Sequence, residues 1–223
     1  MAKIIIQEKI KKFNKTIRVD GDKSLSIRSL LIGSQSYGLC KIKNLSKSGD
    51  ILSTINGLKK LGIKIVFKNE ICYLYGKGLN GFNYKKNILI NAGNSGTFAR
   101  LLLGLLIKTP HEIKLVGDKS LSKRDFRRIM DPLKEFGANF KSQNKNNLPL
   151  KILGTEFLKP INYFEKKGSA QCKSSVILAA LNTPGKTLVK AKKSRNHTEL
   201  FLKYLNIPIK IKTKKNYDMI EII

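Results

Sequence analysis

At 223 residues with 41% apolar side chains, the chain can bury a substantial core as one large domain or two small ones. Its longest apolar stretch, residues 101–107, is about a third of a membrane span, and the opening Met1-Ala2-Lys3-Ile4-Ile5-Ile6 has too short an apolar core for a secretory signal, so the chain reads as soluble and cytoplasmic. A formal charge of +29 admits nucleic acid, a membrane surface or phosphorylated small molecules, whereas Cys40, Cys72 and Cys172, widely spaced beside only two histidines, exclude a disulfide framework and a zinc site.

In chain order, residues 3–10 and 14–20 read as extended segments. Lys23 to Ile32 reads as a helix with one apolar side, Cys40 to Asn44 as a strand, and Asp50 to Leu61 as an amphipathic helix closed by Gly62. A hairpin over Ile63–Lys68 and Ile71–Tyr75 turns at Asn69-Glu70. The order helix–strand–helix–strand–strand then recurs. Its second copy is Thr97–Ile107, Glu112–Val116, Asp125–Phe136 closed by Gly137, Ala138–Lys141 and Leu150–Leu153. Its third is Ala170–Leu181, Thr187–Ala191, His197–Leu205 closed by Asn206, Ile207–Lys212 and Asp218–Ile222. Gly62 and Gly137 lie 75 residues apart and Asn206 follows 69 later, each where a left-handed helix cap is needed. Three copies in register imply internal symmetry, with equivalent helix starts gathered at one end.

Two familiar expressions fail on context. Gly76-Lys77-Gly78-Leu79-Asn80-Gly81 fits the dinucleotide fingerprint, yet Phe82 to Asn87 opens no helix, so it reads as a loop between repeats. Gly185-Lys186-Thr187 resembles the end of a phosphate loop but leads from helix to strand, with Ala180 in place of the first glycine, and reads as a turn. The lysines are spread along the whole length among many Ile and Asn, as A/T-rich codons would produce, so arginine carries more information. Most of Arg18, Arg28, Arg100, Arg124, Arg127, Arg128 and Arg195 fall beside Ser/Gly-rich helix starts.

Those helix starts are the candidate site. Lys23, Ser24 and Arg28 form one group, with Ser24 and Arg28 on one helix face. Asn94, Ser95, Gly96, Thr97 and Arg100 form a second, and Ser169, Ala170, Gln171 and Lys173 a third. Ser122-Lys123-Arg124 and Ser194-Arg195-Asn196-His197 lead into the second helices. Each alone is an ordinary solvated cap. Together they supply N–H dipoles, hydroxyls, amides and cations suited to a small molecule carrying several phosphates or carboxylates.

The motifs Asp22-Lys23-Ser24-Leu25-Ser26-Ile27-Arg28-Ser29, Asn91-Ala92-Gly93-Asn94-Ser95-Gly96-Thr97, Gly117 to Arg124, Ser169-Ala170-Gln171-Cys172-Lys173-Ser174 and Ser194 to Glu199 resemble, in order and over nearly the whole chain, the 5-enolpyruvylshikimate-3-phosphate synthase family. The sister family acting on UDP-N-acetylglucosamine shares the fold, but Lys-Ser-x-Ser-x-Arg and Ser-Ala-Gln point to the shikimate enzyme. The resemblance implies an α/β fold of three pseudo-symmetric units, helices inside and sheets outside, as in an inside-out α/β barrel domain. It also implies transfer of the enolpyruvyl group of phosphoenolpyruvate to the 5-hydroxyl of shikimate 3-phosphate through a tetrahedral intermediate, without metal or organic cofactor. By similarity Lys23 touches both substrates, and Ser24, Arg28, Ser169, Ala170, Gln171 and Ser194 bind shikimate 3-phosphate. Asn94, Gly96, Arg124 and Gln171 line the phosphoenolpyruvate pocket, where glyphosate competes in this family, and Thr97 and Arg100 support it.

Three departures qualify the resemblance: Asp125 stands where Pro is expected, Asn196 and His197 lie in a variable loop, and the sequence given stops at Ile223. We therefore expect residues 21–223 to form one three-repeat lobe and residues 1–20 to supply the first strand region of a second lobe. That lobe's origin is left open between a separate chain, a downstream frame and a truncation. The chain alone is expected to bind shikimate 3-phosphate weakly with negligible turnover. The rivals are a basic nucleic-acid-binding module, which lacks stacking aromatics or a recognition helix here, and a non-catalytic remnant indifferent to Lys23→Ala.

Overall fold

The computed structural model describes residues 19–143 and 145–223, together with Ile5, Gln7, Glu8, Lys12, Asn14, Thr16 and Ile17. Three helices with almost no polar face occupy its centre: α1 (Lys23–Ser34), α3 (Gly96–Leu105) and α5 (Ala170–Ala180). Every residue of α5 from Cys172 to Ala180 is buried, Lys173, Ser174 and Ser175 included, so this helix shows no solvated face and no amphipathic pattern. Helices α3 and α5 approach closely at Gly104, where a methyl group would strike the Ser175 carbonyl. The second helices α2 (Gly49–Lys60), α4 (Arg127–Glu135) and α6 (His197–Tyr204) bury one side only.

Each unit carries its own sheet. The first orders β1 (Tyr37–Ile42), β3 (Ile71–Lys77) and β2 (Lys64–Lys68). The second orders β4 (Leu89–Asn91), β5 (Ile113–Val116), β7 (Leu150–Leu153) and β6 (Asn139–Ser142). The third orders β8 (Asn162–Glu165), β9 (Thr187–Lys192), β11 (Tyr217–Ile222) and β10 (Ile209–Thr213). Alternate residues of β7, β9 and β11 face the helices, as a sheet with one solvated face requires. The expected arrangement of three related units with helices inside and sheets outside is therefore present. Gly62, Gly137 and Asn206 all hold positive φ, at 83°, 114° and 55°, and stop the second helices. The turn at Asn69-Glu70 has positive φ at both residues, and the two glycine-rich expressions lie outside any nucleotide-binding context, in a strand end with its loop and in a turn.

The structure corrects three expectations. The repeat unit opens with a strand that the sequence pattern does not show: β4 and β8 pair parallel with β5 and β9. At three and four residues, they are too short for a visible alternation. Helix α4 begins at Arg127 rather than Asp125, because Asp125 Oδ1 accepts the Arg127 N–H at 2.6 Å and so sits ahead of the helix. Strand β1 spans Tyr37–Ile42 rather than 40–44, since it pairs along β3 as far as Lys77, and Asn44 takes φ 54°. The extended segments expected at 3–10 and 14–20 lie largely outside the described residues. No helix among the described residues is long and apolar enough to cross a membrane.

Candidate active site

The first helix of each unit is capped by a side chain from the loop before it. Asp22 Oδ1 accepts from Leu25 N at 2.7 Å, Ser95 Oγ from Phe98 N at 3.3 Å and Ser169 Oγ from Cys172 N at 3.3 Å. These three helix starts open on one cleft of about 540 Å³. Lys23, Ser24 and Arg28 reach it from α1, Asn94, Gly96 and Thr97 from the start of α3, and Ala170 and Gln171 from α5. Arg124 reaches it from the loop before α4, Asp50 from α2, Arg195 from the loop before α6 and His197 from the first position of α6.

On the α1 side, Arg28 is 2% exposed and fixed at every nitrogen. Its Nε donates to Thr198 Oγ1 at 2.7 Å, Nη2 to Ser174 Oγ at 3.1 Å and Nη1 to Ser24 Oγ at 2.6 Å and Ser24 O at 3.1 Å. Burial lowers its pKa to about 10, opposed by the Glu199 carboxylate and aided by Arg195, so Arg28 stays charged near neutrality. Thr198 in turn donates to Ser174 at 2.7 Å. Beneath them Lys173 pairs with Glu199 at 2.6 Å, the two side chains being 0% and 2% exposed. Lys23 Nζ lies 3.2 Å from Asp50 Oδ2, which points the ammonium across the mouth of the cleft.

On the α3 side, Arg124 Nη2 donates to Asn94 Oδ1 at 2.9 Å. Arg100 Nη1 donates to Gln171 Oε1 at 2.6 Å, and Gln171 Nε2 donates to Thr97 Oγ1 at 2.9 Å. A guanidinium has only donors, so Arg100 fixes which end of the Gln171 amide faces it. Arg100 also lies over the Phe126 ring, 5.2 Å from its centroid, and burial lowers its pKa. Gly96 leaves the floor bare between Arg100 and Arg124.

Nine of the residues expected from sequence therefore line one cleft: Lys23, Ser24, Arg28, Asn94, Gly96, Thr97, Arg124, Ala170 and Gln171. Arg100, Ser169 and Ser194 do not line it. Arg100 braces Gln171, Ser169 caps α5, and the Ser194 hydroxyl is buried with no hydrogen-bond partner among the described residues. Lys173, grouped with the third helix start, is buried in its pair with Glu199 instead. Asp50 joins the lining without having been singled out, and Arg195 and His197, grouped with the candidate helix starts, join it without a substrate having been assigned to them. Arg195 and His197 do follow Ser194 in a quoted motif, and that proximity was the available signal.

Lys23, Arg28, Arg124 and Arg195 face the same space as three helix N-termini, with Asp50 the carboxylate among the lining residues. Such a cleft attracts anions and stabilises negative charge developing on them with groups already in place. No cluster of three or more His, Cys, Asp or Glu with metal-binding geometry occurs among the described residues.

The sequence matches the family of EPSP synthase (3-phosphoshikimate 1-carboxyvinyltransferase) over residues 7–221. It is 44% identical over 202 residues to a 3-phosphoshikimate 1-carboxyvinyltransferase of Streptococcus agalactiae, covering 90% of this chain and 47% of that protein. The fold superposes on EPSP synthase from Acinetobacter baumannii with a TM-score of 0.83 at 34% identity, covering 93% of this chain and 46% of that one. The enolpyruvyl transferase NikO from Streptomyces tendae shares the fold at a TM-score of 0.66 and 11% identity, covering 93% of this chain and 48% of that one. The chain thus spans about half the length of the curated relatives it matches.

Proposed function

As the chain belongs to the EPSP synthase (3-phosphoshikimate 1-carboxyvinyltransferase) family, we propose that it binds shikimate 3-phosphate and phosphoenolpyruvate as one half of an enolpyruvyl transfer site. In this reading residues 21–223 form one lobe and residues 1–20 belong with the complementary lobe, carried by further polypeptide or by a second chain. The reaction joins the shikimate 5-hydroxyl to the enolpyruvyl carbon and releases phosphate, in the cytoplasm and on the route to aromatic amino acids.

The observation that carries this reading is the meeting of Lys23, Arg28, Arg124 and Arg195 with three capped helix starts at one cleft. Both substrates carry a phosphate and a carboxylate, and fixed cations offset the repulsion between them. We assign the shikimate phosphate and ring to Ser24, Arg28, Ala170 and Gln171, with Ser169 acting through its cap on α5 and Ser194 beside Arg195. Asn94, Gly96, Arg124 and Gln171 take phosphoenolpyruvate, with Thr97 and Arg100 in support, and Lys23 reaches both. The braced amide of Gln171 and the Arg124–Asn94 contact support this division, because each sets a polar group before substrate arrives.

Calorimetry at low ionic strength tests the proposal. Shikimate 3-phosphate is expected to bind, and Lys23→Ala or Arg28→Ala to weaken it by about tenfold or more, the scale of one charge-assisted hydrogen bond. Absence of binding, or indifference to both substitutions, overturns the assignment. The chain alone is expected to show negligible turnover, and full activity without a second lobe overturns the half-site reading.

A further inference from the structure

One lone pair of the Ser24 hydroxyl is occupied, which leaves its second lone pair and its hydrogen to be placed. Its Oγ accepts from Arg28 Nη1 at 2.6 Å, and its remaining side-chain neighbour is His197 Nδ1, at 3.3 Å across from the start of α6. A guanidinium accepts nothing, so the Ser24 hydrogen must point elsewhere. A neutral His197 with a bare Nδ1 takes that hydrogen and so keeps it from a ligand in the cleft that both residues line. An imidazolium carries a proton on Nδ1 and can only donate. Ser24 Oγ then uses both lone pairs, for Arg28 and for His197, and its own hydrogen is released towards whatever occupies the cleft.

We propose that His197 is a positioning residue that sets the direction of the Ser24 hydroxyl, so that binding of a doubly charged anion here is coupled to protonation of His197. The inference rests on the reading of this cleft as an anion site. The charged groups on the neighbouring elements are the following. Lys23 and Arg28 on α1 and Arg195 ahead of α6 are cations, and Asp50 of α2 is engaged by Lys23 at 3.2 Å. Across α5 and α6, Lys173 and Glu199 neutralise one another. Lys210 and Lys212 on β10, the other element against α6, are exposed and outside the cleft lining. These cations and the Lys173–Glu199 pair are fixed, so what His197 adds is the direction of the Ser24 hydrogen. The chain's other histidine, His111, packs edge-on against Tyr84 with ring centroids 6.2 Å apart, outside this cleft.

Inorganic sulfate is the suitable probe, since it keeps both charges throughout the histidine range while phosphate itself titrates there. Calorimetric titration of the full chain between about pH 5.5 and 8.5 should show sulfate binding about tenfold tighter at the acid end, the worth of one released charge-assisted hydrogen bond. His197→Gln should bind with the same affinity at both ends. Ser24→Ala should lose most of the slope while His197 is still present, a result that a role through charge alone would not give. A slope retained in either variant overturns the proposal, as does a flat wild-type profile. Flat wild-type binding that Arg28→Ala abolishes would leave the anion site standing and remove His197 from it, whereas no sulfate binding at pH 5.5 would remove both.

Discussion

A methyl group on Gly96 would stand 2.9 Å from Arg124 Nη1 and 3.1 Å from Arg100 Nη1. Both atoms end flexible side chains, so the intrusion displaces two guanidinium groups and leaves the backbone of α3 alone. Gly96→Ala is therefore expected to change unfolding free energy in urea by less than about 1 kcal/mol. If a second lobe completes the proposed transfer site, the same substitution should raise the KM for phosphoenolpyruvate and weaken competition by glyphosate by about tenfold or more. Unchanged kinetics, with glyphosate inhibition intact, would contradict placing phosphoenolpyruvate beside Gly96. At this scale much of the site was legible in the sequence, because Ser, Gly and Arg at helix starts have few other uses in a lysine-rich chain. Asp50 and His197 were not, since Asp50 reads as a favourable charge at a helix N-terminus and His197 as a loop residue. Only the crossing of the chain brings them to Lys23 and Ser24.

Between elements, α5 and α6 are joined by the buried Lys173–Glu199 pair, and the next residue on one helix and the previous one on the other, Ser174 and Thr198, both hold Arg28. The pair thereby fixes where Arg28 sits without lining the cleft. Lys173→Met or Glu199→Leu alone leaves a bare charge in the core and should destabilise by roughly 3–5 kcal/mol, whereas the double substitution should recover most of that loss. A double-mutant cycle by chemical denaturation checks this, and additive losses would refute a coupled pair. Sequence patterns gave the helices and hairpins of each unit, because runs of ten or so residues with Gly or Asn caps are long enough to show a period. They missed β4 and β8, whose existence depends on parallel partners β5 and β9 about 25 residues onward, a pairing no local pattern encodes. They also placed Lys173 with the binding groups, since spacing alone does not tell a lysine turned into the core from one facing a ligand.

Across the whole molecule, the +29 charge and the anion cleft are separate features. Exposed lysines stand on the outer sheet surfaces, among them Lys64 and Lys68 on β2, Lys141 and Lys151 on β6 and β7, and Lys192, Lys210 and Lys212 on β9 and β10. None of these lines the cleft, where arginine and capped helix starts provide the positive potential. A diffuse coat of this kind binds any polyanion weakly by releasing its counterions, so affinity falls steeply with salt and does not depend on a particular residue. Heparin or random-sequence DNA is accordingly expected to bind at low ionic strength, to be lost by a few hundred millimolar salt, and to be unaffected by Arg28→Ala. Shikimate 3-phosphate should behave the other way, losing affinity with Arg28→Ala while declining less steeply with salt, because Arg28 is buried and fixed rather than exposed. Salt titrations of both ligands on the same two proteins separate the cases. Stoichiometric competition between polyanion and shikimate 3-phosphate would instead join the charge to the cleft and revive a nucleic-acid role for it.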